Sequence, residues 1–253
     1  MPDLTGSALL RGSFVALTIA LVALFVAAVY FSARRAGLTS SQAARRAIVA
    51  ALLAGGWVAF TGIAASRGVL RMWAPPTMGL VLVPMLAIAI GTGLSPLGRR
   101  LVAGIPIAWL VGYQGFRVLV ELLLHRAYVE GLMPVQMSYA GRNFDVVTGV
   151  TALVLGGWLA TGRGSSLLVA LWNTLGLALL ANVVAVALLS APTPFRVFTN
   201  EPAMVWITRA PWVWLPAVMV LMALLGHVLV YRWLAARATN TATSPSLPSP
   251  ASA

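Results

Sequence analysis

Cysteine and lysine are both missing from this 253-residue chain, and its five acidic residues face 17 basic ones, every one an arginine. Without thiols there are no disulfides, thiolate metal sites, iron–sulfur clusters or covalent c-type haem attachments. Without a lysine amine no retinal-type Schiff base can form, so a rhodopsin is excluded whatever the helix count. No metal-ligand cluster, phosphate loop or nucleophile motif stands out, and no cofactor is expected.

What is abundant sets the class. Hydrophobic residues make up 60% of the chain, charged ones 9%, and the mean hydropathy is +0.92. That composition predicts an all-α polytopic membrane helix bundle forming one domain over residues 1–237, with lipid as its solvent. The net charge of +12 would suggest nucleic acid in a soluble protein. Here the arginines cluster in short loops between apolar runs, where they orient helices, so nucleic acid is not an expected partner and membrane lipids are.

Apolar runs predict about seven spans, at 13–31, 47–65, 78–94, 101–124, 145–160, 167–189 and 213–234. Pro75-Pro76 and Ser95-Pro96 read as breaks, Pro84 and Pro106 as kinks. Arg34, Arg35, Arg45 and Arg46 follow the first run, which favours a retained helix with its N-terminus outside. The cytoplasmic set is completed by Arg99, Arg100, Arg163, Arg232 and Arg237. Residues 238–253, rich in Thr, Ser and Pro, read as a disordered cytoplasmic tail. Leu53-Ala54-Gly55-Gly56-Trp57 echoes Val154-Leu155-Gly156-Gly157-Trp158, the spacing an inverted repeat would show. No other pair of helices extends the match, which favours chance.

Most of the ionisable chemistry lies between Gln114 and Asp145. Arg117 is too deep in the fourth span to snorkel, and Glu121 follows four residues on, with Gln114, His125 and Tyr128 continuing the stripe. A charge at the bilayer centre costs about 2.5–3.5 kcal/mol on insertion scales, so the seam calls for an explanation. One reading is a cavity for a polar or anionic group; the other is a structural Arg117–Glu121 pair. The fifth span, at about 15 residues, is short and draws Asp145 into the membrane edge as a helix-capping residue. Asn182 is expected near the level of Arg117. Asn173 and His227 are expected nearer the cytoplasmic side, joined by a hydrogen bond as a clasp. The connection 190–212 reads as a lid over an outward-facing pocket, with Trp206, Trp212 and Trp214 in an interfacial belt.

Phe116-Arg117 with Glu121, Gly141 to Asp145, Trp172-Asn173, Pro192-Thr193-Pro194 and Trp214-Leu215-Pro216 resemble a group of uncharacterised bacterial multi-pass membrane proteins. The likeness covers roughly residues 112–227. It implies a bacterial cytoplasmic (inner) membrane setting and no particular reaction.

Three functions are consistent with these residues. The first is a membrane enzyme acting on a lipid or lipid-linked anionic substrate. Glu121, Asp145 and His125 would serve acid–base catalysis, and Arg117, Arg142, Asn143 and Asn182 would bind substrate. The second is a secondary transporter or proton-coupled carrier working through Glu121 and Arg117. The third is a structural subunit of a membrane complex. Oligomeric state is not legible.

Overall fold

The computed structural model describes residues 5–242. Asp3 and the stretch 243–253 of the expected tail lie outside them; 238–242 continue the last helix. The described residues form nine α-helices and no strand: α1 (Ala8–Arg35), α2 (Ser40–Ser66), α3 (Gly79–Leu94), α4 (Pro96–Gly104), α5 (Ile107–Gly112), α6 (Phe116–Val129), α7 (Asp145–Ala160), α8 (Ser166–Ser190) and α9 (Leu221–Ala242). A 3₁₀ turn, Tyr113–Gly115, joins α5 to α6, and a π-helical turn, Leu215–Val220, leads into α9.

Five segments are long and apolar enough to cross a membrane: α1, α2, Ile107–Val129, α8 and Leu215–Thr239. The pair α3 and α4, bent by 61° at Ser95, makes a sixth if counted as one span. The helix α7, at 16 residues, falls short. The sequence expectation of seven spans therefore reduces to five or six on length alone.

Local chemistry accounts for most boundaries. Ser7, Thr39 and Ser165 accept hydrogen bonds from backbone N–H groups in the first turns of α1, α2 and α8, and Thr39 forms a full capping box with Gln42. The break at Ser95-Pro96 works the same way. The Ser95 hydroxyl caps α4, Pro96 occupies its first position, and Arg232 on α9 donates to the freed carbonyls of Gly93 (2.7 Å) and Ser95 (2.9 Å).

Pro106 corrects the fourth span. It does not kink a helix running 101–124. Ile105 before it is extended, as the residue before proline prefers, so Leu101–Gly104 closes α4 and a new span starts at Ile107 and runs to Val129. Pro84 does lie inside α3.

The segments Leu215–Thr239 and Ile107–Val129 form the centre of the bundle, with 61% and 50% of their most apolar stretches buried, against 28% for α1 and 17% for α2. Packing of α7 on α5 and α6 depends on two glycines. A Cβ at Gly156 would come within 2.7 Å of Gly112 Cα, and one at Gly149 within 2.8 Å of the Val118 backbone nitrogen. The Gly-Gly-Trp echo has no counterpart in three dimensions. Gly55 and Gly56 face open space where Gly156 is packed, and Trp57 donates to the Ala217 carbonyl where Trp158 is half-exposed.

The expected aromatic belt is replaced by a buried cluster. Trp206 and Trp212 are fully buried and meet the Phe14 ring edge-on, at 5.8 and 5.0 Å between centroids; Trp214 donates to the Val58 carbonyl. The connection 191–214 thus anchors α1 and α2 to α9.

Candidate functional site

The site begins with a loop that does not stay at the surface. Leu132, Met133, Gln136, Met137, Ser138 and Asn143 are all buried, so the segment between α6 and α7 folds down into the bundle. It delivers Asp145 against Arg117, which lies twelve residues before the end of α6 at Val129, about 18 Å along the axis. Asp145 therefore goes deeper than the membrane edge expected for it, and α7 can be short because it starts inside.

Arg117 is paired with Asp145, not with Glu121. Its Nε donates to Asp145 Oδ2 at 2.6 Å and Nη2 donates to Oδ1, a bidentate fork matched to the carboxylate. Nη1 approaches His227 Nε2 at 2.9 Å, and Nη2 reaches the Gly176 carbonyl at 3.4 Å. Because guanidinium can only donate, Nε2 must accept, which places the imidazole proton on Nδ1. Nδ1 then donates to Asn173 Oδ1 at 2.8 Å, and Asn173 Nδ2 donates to the His227 carbonyl at 3.2 Å. Gly176 makes room for this, since a Cβ there would lie 2.7 Å from His227 Cε1 and 2.8 Å from Thr148 Cγ2.

The expected Asn173–His227 clasp is present, but it sits at the depth of Arg117 and forms part of the same network. Sequence reasoning missed this membership. An intramembrane histidine was the available signal; its depth, counted from approximate span ends, was not good enough to match it to Arg117.

Glu121 takes a separate position. Its Oε1 accepts from Asn143 Nδ2 at 2.8 Å, while Oε2, buried, has no hydrogen-bond partner among the described residues. Asn143 is the hub. It also donates to the Met137 carbonyl at 3.0 Å, and its Oδ1 accepts the backbone N–H of Asp145, the first residue of α7, at 3.0 Å.

Arg117, Glu121 and Asp145 all border a cavity of about 80 Å³ whose other walls are almost wholly apolar. Its sides come from α3 (Leu82, Met85), α6 and α8 (Leu180 to Leu188), and Met204 and Ile207 of the 191–214 connection close one end. Leu188, 47% exposed on α8, belongs to the lining, so one wall of the cavity extends to the outer surface of the bundle.

The remaining candidates are placed elsewhere. His125 does not line the cavity; its ring stacks on Tyr139 at 4.4 Å between centroids, and its buried Nδ1 has no hydrogen-bond partner among the described residues. Arg142 is exposed and lies over the Phe198 ring, and Asn182 donates to the Arg142 carbonyl at 2.8 Å. Both line a different groove with Phe144 and Leu189, so neither reaches a guest beside Glu121. Gln114, at the head of the expected stripe, instead donates to the Ala223 carbonyl at 2.9 Å; Tyr113 donates to that of Met222 at 2.7 Å. Those two bonds lock the 107–129 span onto α9.

Chemically, four of the five guanidinium N–H groups of Arg117 are engaged and its charge is matched by Asp145, which leaves one N–H for any further partner. Four buried side-chain atoms have no hydrogen-bond partner among the described residues, Gln114 Oε1, Glu121 Oε2, His125 Nδ1 and Thr148 Oγ1, and of these residues Glu121 is the one that lines the cavity. Among the described residues no three His, Asp or Glu side chains converge as metal ligands. Comparison with family models, with curated proteins and with solved structures returned no match.

Proposed function

We propose that this is an integral membrane protein that draws the polar end of a lipid-like molecule in between α3 and α8 and engages it at Glu121. One observation carries the reading: Glu121, whose buried Oε2 has no partner among the described residues, lines a cavity that is apolar apart from Arg117, Glu121 and Asp145 and that also takes in the half-exposed Leu188. A buried acceptor left unpaired costs about 1–3 kcal/mol, a cost that a hydrogen-bonding guest would relieve. If the protein is an enzyme, its acid–base chemistry rests on Glu121, with Asn143 positioning the carboxyl and Asp145 committed to Arg117. The chain would cross a bacterial cytoplasmic membrane seven times, counting α3–α4 as one bent span and α7 as a short one, with the N-terminus outside.

The mutual pairing of Arg117, Asp145, His227 and Asn173 favours a second reading, that the polar seam is structural and the protein is a subunit of a larger membrane complex.

The test compares lipid and metabolite inventories of cells carrying the wild-type chain or Glu121→Gln at equal membrane levels, together with the lipids that co-purify with each. Covalently altered species dependent on Glu121 would mark an enzyme, and altered distribution between leaflets a carrier. Identical inventories and identical co-purifying lipids would sink the Glu121 reading and leave the structural one.

A further inference from the structure

A second site lies at the other end of the bundle, independent of Glu121. Arg45 and Arg46 on α2 and Arg100 on α4 converge on one cavity of about 360 Å³. It shares the walls Ala50, Leu53 and Leu97 with an adjacent apolar cleft of about 510 Å³ that is also lined by Trp57 and by Leu221, Met222 and Leu225 of α9. Both volumes fall in the range of about 300–1,000 Å³ typical of ligand sites.

Three other arginines at this end already have acceptors, whereas Arg99 has none among the described residues but lies outside the cavity. Arg34 donates to the Leu38 carbonyl, Arg35 to that of Gly104, and Arg232 to those of Gly93 and Ser95. Arg45, Arg46 and Arg100 make no hydrogen bond, ion pair or ring contact among the described residues. No described carboxylate can balance them. Glu121, Glu130, Asp145 and Glu201 are all engaged within or beyond the opposite half of the bundle.

Arginines in loops orient helices whether or not they meet. Three unpartnered ones at the mouth of an apolar cleft do more, because they present donors for phosphate oxygens where a hydrocarbon chain has somewhere to go. We propose that this cleft binds an anionic phospholipid, its phosphate held by Arg45, Arg46 and Arg100 and an acyl chain lying along Leu53, Leu97 and Trp57.

The full-length protein in detergent would be titrated with phosphatidylglycerol or phosphatidylcholine of matched chains and followed by native mass spectrometry. Phosphatidylglycerol is expected to be retained at least tenfold more tightly. Arg45→Gln, Arg46→Gln and Arg100→Gln should each cost about fivefold, and the triple variant should bind both lipids alike. Arg99→Gln, which makes the same change in charge one residue outside the cavity, should leave the preference intact. Leu53→Trp, which fills the cleft without altering charge, should weaken lipid binding. It also carries the test, with Arg100→Gln, should the triple variant fail to fold. Equal binding of the two lipids, an Arg99→Gln loss as large as that of Arg100→Gln, or displacement of lipid by millimolar inorganic phosphate would overturn the assignment, the last pointing to a free-anion site.

Discussion

The centre of the bundle and its α1–α2 hairpin are held by different physics. Around α5, α6, α7 and α9, position is fixed by buried polar groups bonded across elements: Arg117 with Asp145 and His227, His227 with Asn173, Glu121 with Asn143, Gln114 with the Ala223 carbonyl. Close glycine contacts bring the backbones together there. The α1–α2 hairpin packs on itself and α1 meets Gly104 of α4 closely at Ser32, but α2 has no comparable polar pairs: Gly55 and Gly56 meet nothing within 4 Å, and clefts lie between α2 and α4 and between α2 and α9. Trp57, Trp214 and the Ser7–Glu130 bonds attach the hairpin at points. Where lipid is the solvent, hydrophobicity cannot choose between helix neighbours, so specificity falls to hydrogen bonds and close packing.

The largest effect should come from breaking the central pair. Arg117→Leu or Asp145→Asn leaves the other partner poorly compensated in the bundle and should cost about 3–5 kcal/mol. It would be read as low membrane levels and early thermal unfolding in detergent. The double change Arg117→Met with Asp145→Leu should recover much of that loss. Failure to recover would mean that the pair has a role beyond compensating its own burial.

Glycine substitutions sharpen the contrast at a smaller scale. Gly149→Ala drives a Cβ into the α6 backbone and should cost about 1–3 kcal/mol. Gly55→Ala in the hairpin and Gly157→Ala on the open face of α7 should be neutral or stabilise by up to about 1 kcal/mol. Equal unfolding temperatures for all three would contradict the close approach of α7.

Glu121→Gln keeps an oxygen for Asn143 and removes only the ionisable group, so its unfolding should differ from wild type by no more than about 1 kcal/mol. Loss of function at normal stability is the expected combination; an unstable variant would transfer Glu121 to the structural network.

The smallest effect tests the hairpin's tether. Burial alone would raise the Glu130 carboxyl, but hydrogen bonds from the Ser7 hydroxyl and amide and from Arg126 outweigh it and hold the group below the usual carboxylate range. A carboxyl depressed in the folded state stabilises fully above its unfolded value, about 4.3. That contribution is lost as pH falls through the lower folded value. Protease cleavage ahead of α1 should therefore rise on acidification below about pH 4, and Glu130→Gln should show the raised rate at neutral pH with little further change.

Much of the fold was legible because lipid imposes long apolar runs and because caps and prolines act locally. Ser95-Pro96 was read as a break and is one. Pro106 was misjudged because a proline both kinks helices and begins them, and only the extended Ile105 shows which applies here. The site was legible as a stretch but not as a set of bonds. Residues four apart on a helix share a face, which made Arg117–Glu121 the natural pair, yet the guanidinium forks onto a carboxylate brought in by a loop 28 residues on.

The sequence by itself determined the solvent, the helices, the stretch holding the buried ionisable groups and the excess of arginine at one end, all consequences of composition and of spacing within single segments. Only the tertiary structure decided that the loop before α7 enters the bundle, that Asp145 and His227 share Arg117, that Glu121 keeps a free oxygen at the cavity, and that three arginines meet at a cleft. Those outcomes depend on the relative depth and rotation of separate helices. Hydrogen bonds and close packing set these between segments, and no spacing within one segment encodes them.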